Sequence, residues 1–157
     1  MRPFILIIAI VGCMHTHFRP DCSGAVRTIY ARKGIWLGNA ATHSESDTAA
    51  IYTFVKEHGQ IFTGPPNVGD LVFFDNTYDR NRDGQMNDRF THIGIVENIF
   101  NDGTVMFKHY MHHRMRHSKM NDMLRQPTGK HKGMTAAELF MGFGRLSTSG
   151  LRRGTPK

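Results

Sequence analysis

The chain has only two cysteines among its 157 residues, Cys13 and Cys22, so it can form at most one internal disulfide. It contains no internal repeat, which argues against a solenoid or a propeller. It also lacks an apolar run long enough to cross a bilayer, because the segment from Phe4 to Val11 is too short. What remains is a single domain of ordinary size with enough hydrophobic residues, 39% of the chain, to bury a core.

Negative charge is scarce over part of the chain, and the formal net charge is +7. No acidic residue lies between Lys108 and Asn121, whereas aspartates cluster between Asp70 and Asp88. A basic surface suits an anionic partner such as nucleic acid, anionic lipid or an anionic cell wall. Composition does not choose among these partners, and a solvated basic face is an equally good interpretation.

The N-terminal segment has the pattern of a targeting signal. Arg2 precedes the short apolar run, which ends in Ile10-Val11-Gly12-Cys13, a sequence similar to a bacterial lipobox. We therefore expect residues 1–13 to be a lipoprotein signal, Cys13 to be lipidated, and the protein to lie outside the cytoplasm, in the periplasm or cell envelope. A buried N-terminal strand and a misplaced or truncated start are the alternatives.

Two helices are predicted in the first half of the chain. Asp21 is a suitable N-cap for a helix from Cys22 to Lys33, and Gly34 is a natural residue to end it. A capping-box pattern predicts that a second helix starts at Ser44 and ends at Gly59.

Strand patterns follow these helices. Strands are predicted for residues 71–74, 91–99 and 104–110, with a polar loop at 75–90 and a hairpin turn at Asn101-Asp102-Gly103. A capping box at Thr135 to Glu138 predicts a short helix that contains Leu139, Phe140 and Phe143, and residues 147–157 form a basic tail that we expect to be disordered. The order predicts an α+β domain with the helices packed on one face of an antiparallel meander.

Cys22 and His92 have the placement of a nucleophile and its base. A cysteine in the first turn of a helix feels the positive end of the helix dipole, which lowers the pKa of a thiol. His92 opens an apolar strand, an unfavourable position for a polar ring unless the ring has a partner. The hairpin brings a residue between His109 and His113 opposite this ring, where a polar side chain can orient it. The alternatives are a small buried thiol and a structural histidine.

Three sequence blocks together resemble a known family of enzymes. Asp21-Cys22-Ser23-Gly24, the block from Gly69 to Phe74 and the block from Thr91 to Val96 occur in the order found in NlpC-type and CHAP (cysteine, histidine-dependent amidohydrolase/peptidase) cell-wall hydrolases. The resemblance implies a papain-like core, which we place at residues 14–146, and hydrolysis of amide bonds in peptidoglycan stem peptides. By the same resemblance Cys22 is the nucleophile, His92 the base and His109 the orienting residue.

The resemblance implies peptidoglycan as the partner of this protein. We expect a monomer that requires no cofactor for catalysis, binds peptidoglycan, and has no nucleic-acid partner. The chain departs from the family pattern before Cys22, where little sequence is present and Phe18 is the available aromatic residue. A non-catalytic peptidoglycan-binding lipoprotein of the same fold and acyl or amide transfer on another substrate are the alternatives.

A second site is suggested within the polar loop. Its sequence places oxygen-bearing side chains and a glycine at the spacing of an EF-hand-type calcium loop. The candidate ligands are Asp79, Asn81, Asp83, Gln85 through its carbonyl, Asn87 and Asp88. Position 12 is Phe90 rather than glutamate, and a turn rich in Asp, Asn and Gly that binds nothing is the alternative.

The histidines at 109, 112, 113 and 117 also suggest a metal site. His113 and His117 have a spacing that suits zinc only if this segment is helical, and no cysteine or carboxylate joins them at ligand spacing. We therefore expect a solvated basic loop here instead of a zinc site.

Overall fold

The structure, a computed structural model, describes residues 18–39, 46–120, 130–131, 134–135 and 139–147. The predicted signal segment with Cys13, and all of the basic tail except Ser147, lie outside the described residues. Two helices come first, α1 at Cys22–Arg32 and α2 at Asp47–His58. Neither is long and apolar enough to cross a membrane.

Six strands form one antiparallel sheet. Along the chain they are β1 at Gly59–Phe62, β2 at Leu71–Phe74, β3 at His92–Ile99, β4 at Val105–Met111, β5 at Arg114–Met120 and β8 at Phe140–Leu146. Their spatial order is β1-β8-β2-β3-β4-β5, and two short strands, β6 at Lys130–His131 and β7 at Met134–Thr135, form a separate pair. The predicted α+β class is confirmed, and the predicted meander holds from β2 to β5. The papain-like assignment stays a prediction.

The core lies on both faces of the sheet. Leu71 and Phe73 of β2 pack with Val26 of α1 and Val55 of α2, whereas Val72 and Phe74 belong to a second apolar cluster. This division follows from the alternation of side chains along a strand. Strand β2 is buried on both faces and pairs with β3, and Phe74 lies opposite His92 in that pairing.

The C-terminal helix prediction is wrong for Phe140 and Phe143, because residues Phe140–Leu146 form strand β8 between β1 and β2. Leu139 is helical, and residues 136–138 lie outside the described residues. The glycines in the β8 segment help to explain why it forms a strand beside β2. A Cβ atom on Gly144 would lie 2.8 Å from the ring of Phe73, so a glycine is what allows β8 to approach β2. The pairing partners that stabilise β8 are distant in sequence, and a local capping pattern carries no information about them.

The start of α2 also differs from the prediction. Ser46, not Ser44, is the N-cap, and its hydroxyl accepts a hydrogen bond of 3.0 Å from the N–H of Ala49. Both serines fit the local pattern of an N-cap. Ser46 also donates to the carbonyl of Phe90, 3.1 Å away, so a tertiary contact holds this serine at the helix start.

Residues 114–120 form a strand where a basic loop was expected. His112 and His113 make the turn before it, both with positive φ, at 51° and 61°. A two-residue turn with positive φ at both positions usually carries Asn-Gly, and this sequence signal of a hairpin is missing here. Histidine nevertheless adopts positive φ more readily than most residues. The result is an edge strand, β5, that covers one side of β4.

Candidate active site

The start of α1 holds Cys22 in a crowded backbone environment. Asp21 caps the helix, since its carboxylate accepts hydrogen bonds from the N–H of Gly24 at 2.8 Å and from the hydroxyl of Ser23 at 2.7 Å. A Cβ atom on Gly24 would lie 1.8 Å from the carbonyl oxygen of Arg19. The Asp21-Cys22-Ser23-Gly24 block is therefore explained by its cap and by the close passage of the preceding chain.

Cys22 is a free, half-buried thiol beside the start of β3. Burial is the main cause that raises the pKa of this thiol, and the carboxylate of Asp21 adds to it. Hydrogen bonds to sulfur from the N–H of Ile93, the hydroxyl of Thr48 and the N–H of Ser23 act in the opposite direction but do not outweigh burial. The predicted depression of the thiol pKa is therefore wrong, because desolvation outweighs the donors at the helix start.

This environment also brings the thiol next to the candidate base. Ile93, whose N–H is bonded to the sulfur, directly follows His92 in β3. The thiol therefore lies within one residue of His92 along the strand. A thiol whose pKa is raised has to pass its proton to a neighbouring base before it can act as a nucleophile.

His92 and His109 are hydrogen-bonded to each other. Nε2 of His92 lies 2.7 Å from Nδ1 of His109, and the two rings are nearly perpendicular, at 86°. Both side chains are buried, with exposed fractions of 9% and 4%. The structure thus joins His92 directly to His109, and it places the Cys22 thiol beside Ile93, the residue that follows His92.

The sheet register explains this contact. His109 of β4 lies opposite Gly94 of β3, so it reaches His92 diagonally across the two strands. Gly94 allows β3 to pair closely with β4 at this position, because a Cβ atom there would lie 2.9 Å from the carbonyl oxygen of Lys108 and 3.0 Å from the ring of Phe107.

Two residues of β5 extend the site and were missed by the sequence reasoning. Nε2 of His109 lies 2.9 Å from the hydroxyl of Ser118, and Arg116 is the residue opposite His109 on β5. Burial, then the positive charges of Arg116 and His117, lower the pKa of His109 to about 4. His109 is therefore neutral near pH 7 and can accept a hydrogen bond from His92. Only the strand pairing reveals these neighbours.

The polar loop, residues 75–90, is hydrogen-bonded to Thr91, the residue directly before β3. The hydroxyl of Thr91, next to His92, accepts hydrogen bonds of 2.9 Å from both the N–H and the hydroxyl of Thr77. The following residue, Tyr78, is exposed and lies near enough to Cys22 for a thiolate charge to raise the pKa of its phenol, after the larger effect of burial. Tyr78 is thus an aromatic residue near the Cys22 thiol that the sequence reasoning did not identify.

The calcium prediction is neither confirmed nor contradicted. Within the described residues, no group of three or more His, Cys, Asp or Glu side chains is arranged to hold a metal ion. Asp79 accepts hydrogen bonds from the N–H groups of Asp83 and Gly84, and Asp88 accepts one from Arg80. These bonds close the loop, and calcium uptake by chelator-treated protein in calorimetry is the measurement that tests the site.

The histidine run does not form the helix that a zinc site would need. His113 lies in the turn and His117 in β5, where its Nδ1 is 2.6 Å from a carboxylate oxygen of Glu97. Lys108 also reaches Glu97, at 3.4 Å. The prediction of a solvated basic loop is wrong in its structure, since the residues belong to a paired hairpin.

A comparison with models of protein families gave a match over most of the chain. The family model described as NlpC/P60 family matches residues 12–133. No curated protein and no solved structure matches the chain significantly.

Proposed function

Since the chain belongs to the NlpC/P60 family, we propose that it hydrolyses amide bonds in peptidoglycan stem peptides with Cys22 as the nucleophile. Family membership indicates peptidoglycan-related cysteine peptidase activity in general. The observation that carries the specific proposal is the hydrogen bond of 2.7 Å between His92 and His109, beside the free thiol at the start of α1.

The ring nitrogens of His92 can make the proton transfers that acyl transfer requires. His92 uses Nε2 toward His109, and its other ring nitrogen, Nδ1, takes the proton of Cys22 as the sulfur attacks the substrate carbonyl carbon. His92 then gives that proton to the leaving amine as the C–N bond breaks. Water attacks the resulting thioester with His92 as base, and the S–C bond breaks to restore the thiol and release a carboxylic acid.

Charge develops on the substrate oxygen during the attack. The N–H of Cys22 lies at the start of α1, where helix N–H groups have no acceptor within the helix, and it is one donor to this oxygen in the proposal. The phenol of Tyr78 is the second. Its raised pKa keeps the O–H protonated, and a protonated phenol is a hydrogen-bond donor.

The location and partners form part of the same proposal. The net charge of +7 favours association with an anionic cell wall. In this proposal the protein acts outside the cytoplasm as a monomer, and Cys13 is the point of lipid attachment.

Digestion of purified peptidoglycan, followed by mass spectrometry of the soluble products, tests the proposal. We expect new amine and carboxylate ends within stem peptides for the unaltered protein, and loss of activity of at least about a thousandfold for Cys22→Ala, because the nucleophile is removed. Cys13→Ala is the matched control, and it should digest the polymer normally. Digestion by Cys22→Ala at the normal rate would refute the proposal.

The raised thiol pKa favours a second candidate, a non-catalytic peptidoglycan-binding protein with the same fold. A protein that sediments with peptidoglycan and releases no peptide ends would support this second function and contradict the first. If an added amine is incorporated at the cleaved carbonyl in place of water, the reaction is acyl transfer.

A further inference from the structure

Ser118 lies behind the histidine pair, on the edge strand β5. Its hydroxyl is 2.9 Å from Nε2 of His109, whose Nδ1 is 2.7 Å from Nε2 of His92. The three groups form a continuous hydrogen-bonded row across three neighbouring strands, β3, β4 and β5. Ser118 is half-buried and His109 is buried, so the row is largely protected from water.

The proton on His109 decides which nitrogen of His92 carries a proton. A neutral imidazole has one N–H and one acceptor nitrogen. If His109 carries its proton on Nε2, its Nδ1 accepts from Nε2–H of His92, and Nδ1 of His92 is the nitrogen that accepts a proton. If His109 carries its proton on Nδ1, it donates to Nε2 of His92, and a neutral His92 then has its proton on Nδ1.

Only the first arrangement suits the proposed reaction. Cys22 has to pass a proton to His92, and the resulting imidazolium has N–H groups on both nitrogens. Such a ring needs an acceptor at His109 Nδ1, which is present only when the His109 proton is on Nε2. That proton in turn needs an acceptor. The Ser118 hydroxyl, which can accept from Nε2–H or donate to an unprotonated Nε2, is 2.9 Å from this nitrogen.

We propose that Ser118 is a positioning residue, which accepts the Nε2 proton of His109 and thereby stabilises the tautomer that His92 needs when it takes the proton of Cys22. Arg116, opposite His109 on β5, has a positive charge that opposes a second proton on His109 and so helps to keep the ring neutral. The consequence for catalysis rests on the proposed function, whereas the tautomer itself does not.

Removal of the Ser118 hydroxyl should change the balance between the tautomers. In Ser118→Ala the Nε2–H of His109 has no acceptor from β5, and an unsatisfied buried donor is costly. The Nδ1–H tautomer loses the bond that Ser118 can donate to Nε2, but its single N–H still has an acceptor in His92, so no buried donor is left unpaired. Nitrogen-15 chemical shifts of labelled histidines at pH 7, assigned to His109 with a His109→Gln variant, distinguish the two forms. We expect the Nε2–H form in the unaltered protein and a shift toward the Nδ1–H form in Ser118→Ala.

The kinetic measurement uses peptidoglycan peptides as substrate. We expect kcat of Ser118→Ala to fall about tenfold, equivalent to ~1.4 kcal/mol, with KM unchanged. Ser118→Thr keeps the hydroxyl and should restore both the tautomer and kcat. Met115→Ala, at an exposed position of the same strand, is the control for a general effect on β5 and should leave both readouts unchanged.

Two outcomes separate this inference from the proposed function. If His109 keeps the Nε2–H tautomer in the Ser118→Ala variant, the inference is overturned, whatever peptidase activity that variant has. A tautomer shift in Ser118→Ala, reversed in Ser118→Thr, supports it even if the unaltered protein cleaves no peptidoglycan, and in that case the proposed hydrolysis alone is wrong.

Discussion

At the scale of single residues, the site depends on glycines as much as on the groups that react. Gly24 and Gly94 each lie where a Cβ atom would press on a neighbouring backbone carbonyl, at 1.8 Å from Arg19 and 2.9 Å from Lys108. The first lies beside Cys22 in sequence, and the second is paired with His109. Both glycines therefore determine the position of a proposed catalytic group without taking part in the chemistry.

We predict that Gly24→Ala lowers both stability and activity. The added methyl group forces the Arg19 segment away from α1, and overpacking of this kind costs about 1–3 kcal/mol. Thermal unfolding and peptidoglycan digestion are the measurements. Gly64→Ala is the matched control, because a Cβ atom at Gly64 meets nothing within 4 Å. A Gly24→Ala protein with the melting temperature of the control would contradict this account.

At the scale of elements, strand β8 pairs with β1 and β2 and is also connected to the sheet by a partly buried ion pair. Asp70, directly before β2, accepts hydrogen bonds from Nε and Nη2 of Arg145 in β8 at 2.9 and 2.7 Å. Its carboxylate also accepts from the N–H of Asn67 at 2.6 Å, which closes the turn before β2. The Gly69–Phe74 block is thus explained by structure: its aspartate connects β2 to β8.

We predict that Asp70→Asn destabilises the protein by about 1.5–3 kcal/mol, because a charged acceptor is lost beside Arg145. Urea unfolding followed by circular dichroism measures the change. Glu57→Gln neutralises an exposed carboxylate of α2 and should have little effect on the urea midpoint. Equal midpoints for the two variants would show that the connection between β2 and β8 contributes nothing to stability.

Element prediction succeeded where the signal is local. The helix after Asp21 and the strand pair around Asn101-Asp102-Gly103 follow from caps, alternation and turn residues within a few positions. It failed for β5 and β8, whose formation depends on partners in β4 and β2. Neither a histidine turn nor a glycine-containing segment indicates such pairing from its own sequence.

At the scale of the whole molecule, His109 connects the site to the pH dependence of folding. Burial, Arg116 and His117 lower the pKa of this residue to about 4 from an ordinary value of 6.5. Between these two pH values the unfolded chain binds a proton that the folded chain does not. The contribution of the neutral, buried His109 ring to the free energy of unfolding is therefore fully present above pH 6.5, and it is lost as the pH falls toward 4.

We predict that the free energy of unfolding falls more between pH 7 and about 5 in the unaltered protein than in His109→Gln, which has no proton to bind at this position. Chemical denaturation at a series of pH values measures both curves, and the comparison cancels the groups that the two proteins share. Parallel curves would show that His109 is not buried as a neutral ring.

The sequence by itself determined the capped helix with Cys22 at its start, the strand that begins with His92, and the α+β class, because caps, periodicity and turn chemistry act over short distances. It also narrowed the partner of His92 to a few residues, among them His109. Only the tertiary structure decided that Ser118 and Arg116 lie beside His109, and that burial raises the pKa of the Cys22 thiol. Strand register and desolvation depend on residues far apart in the chain, and these long-range contacts exist only after folding.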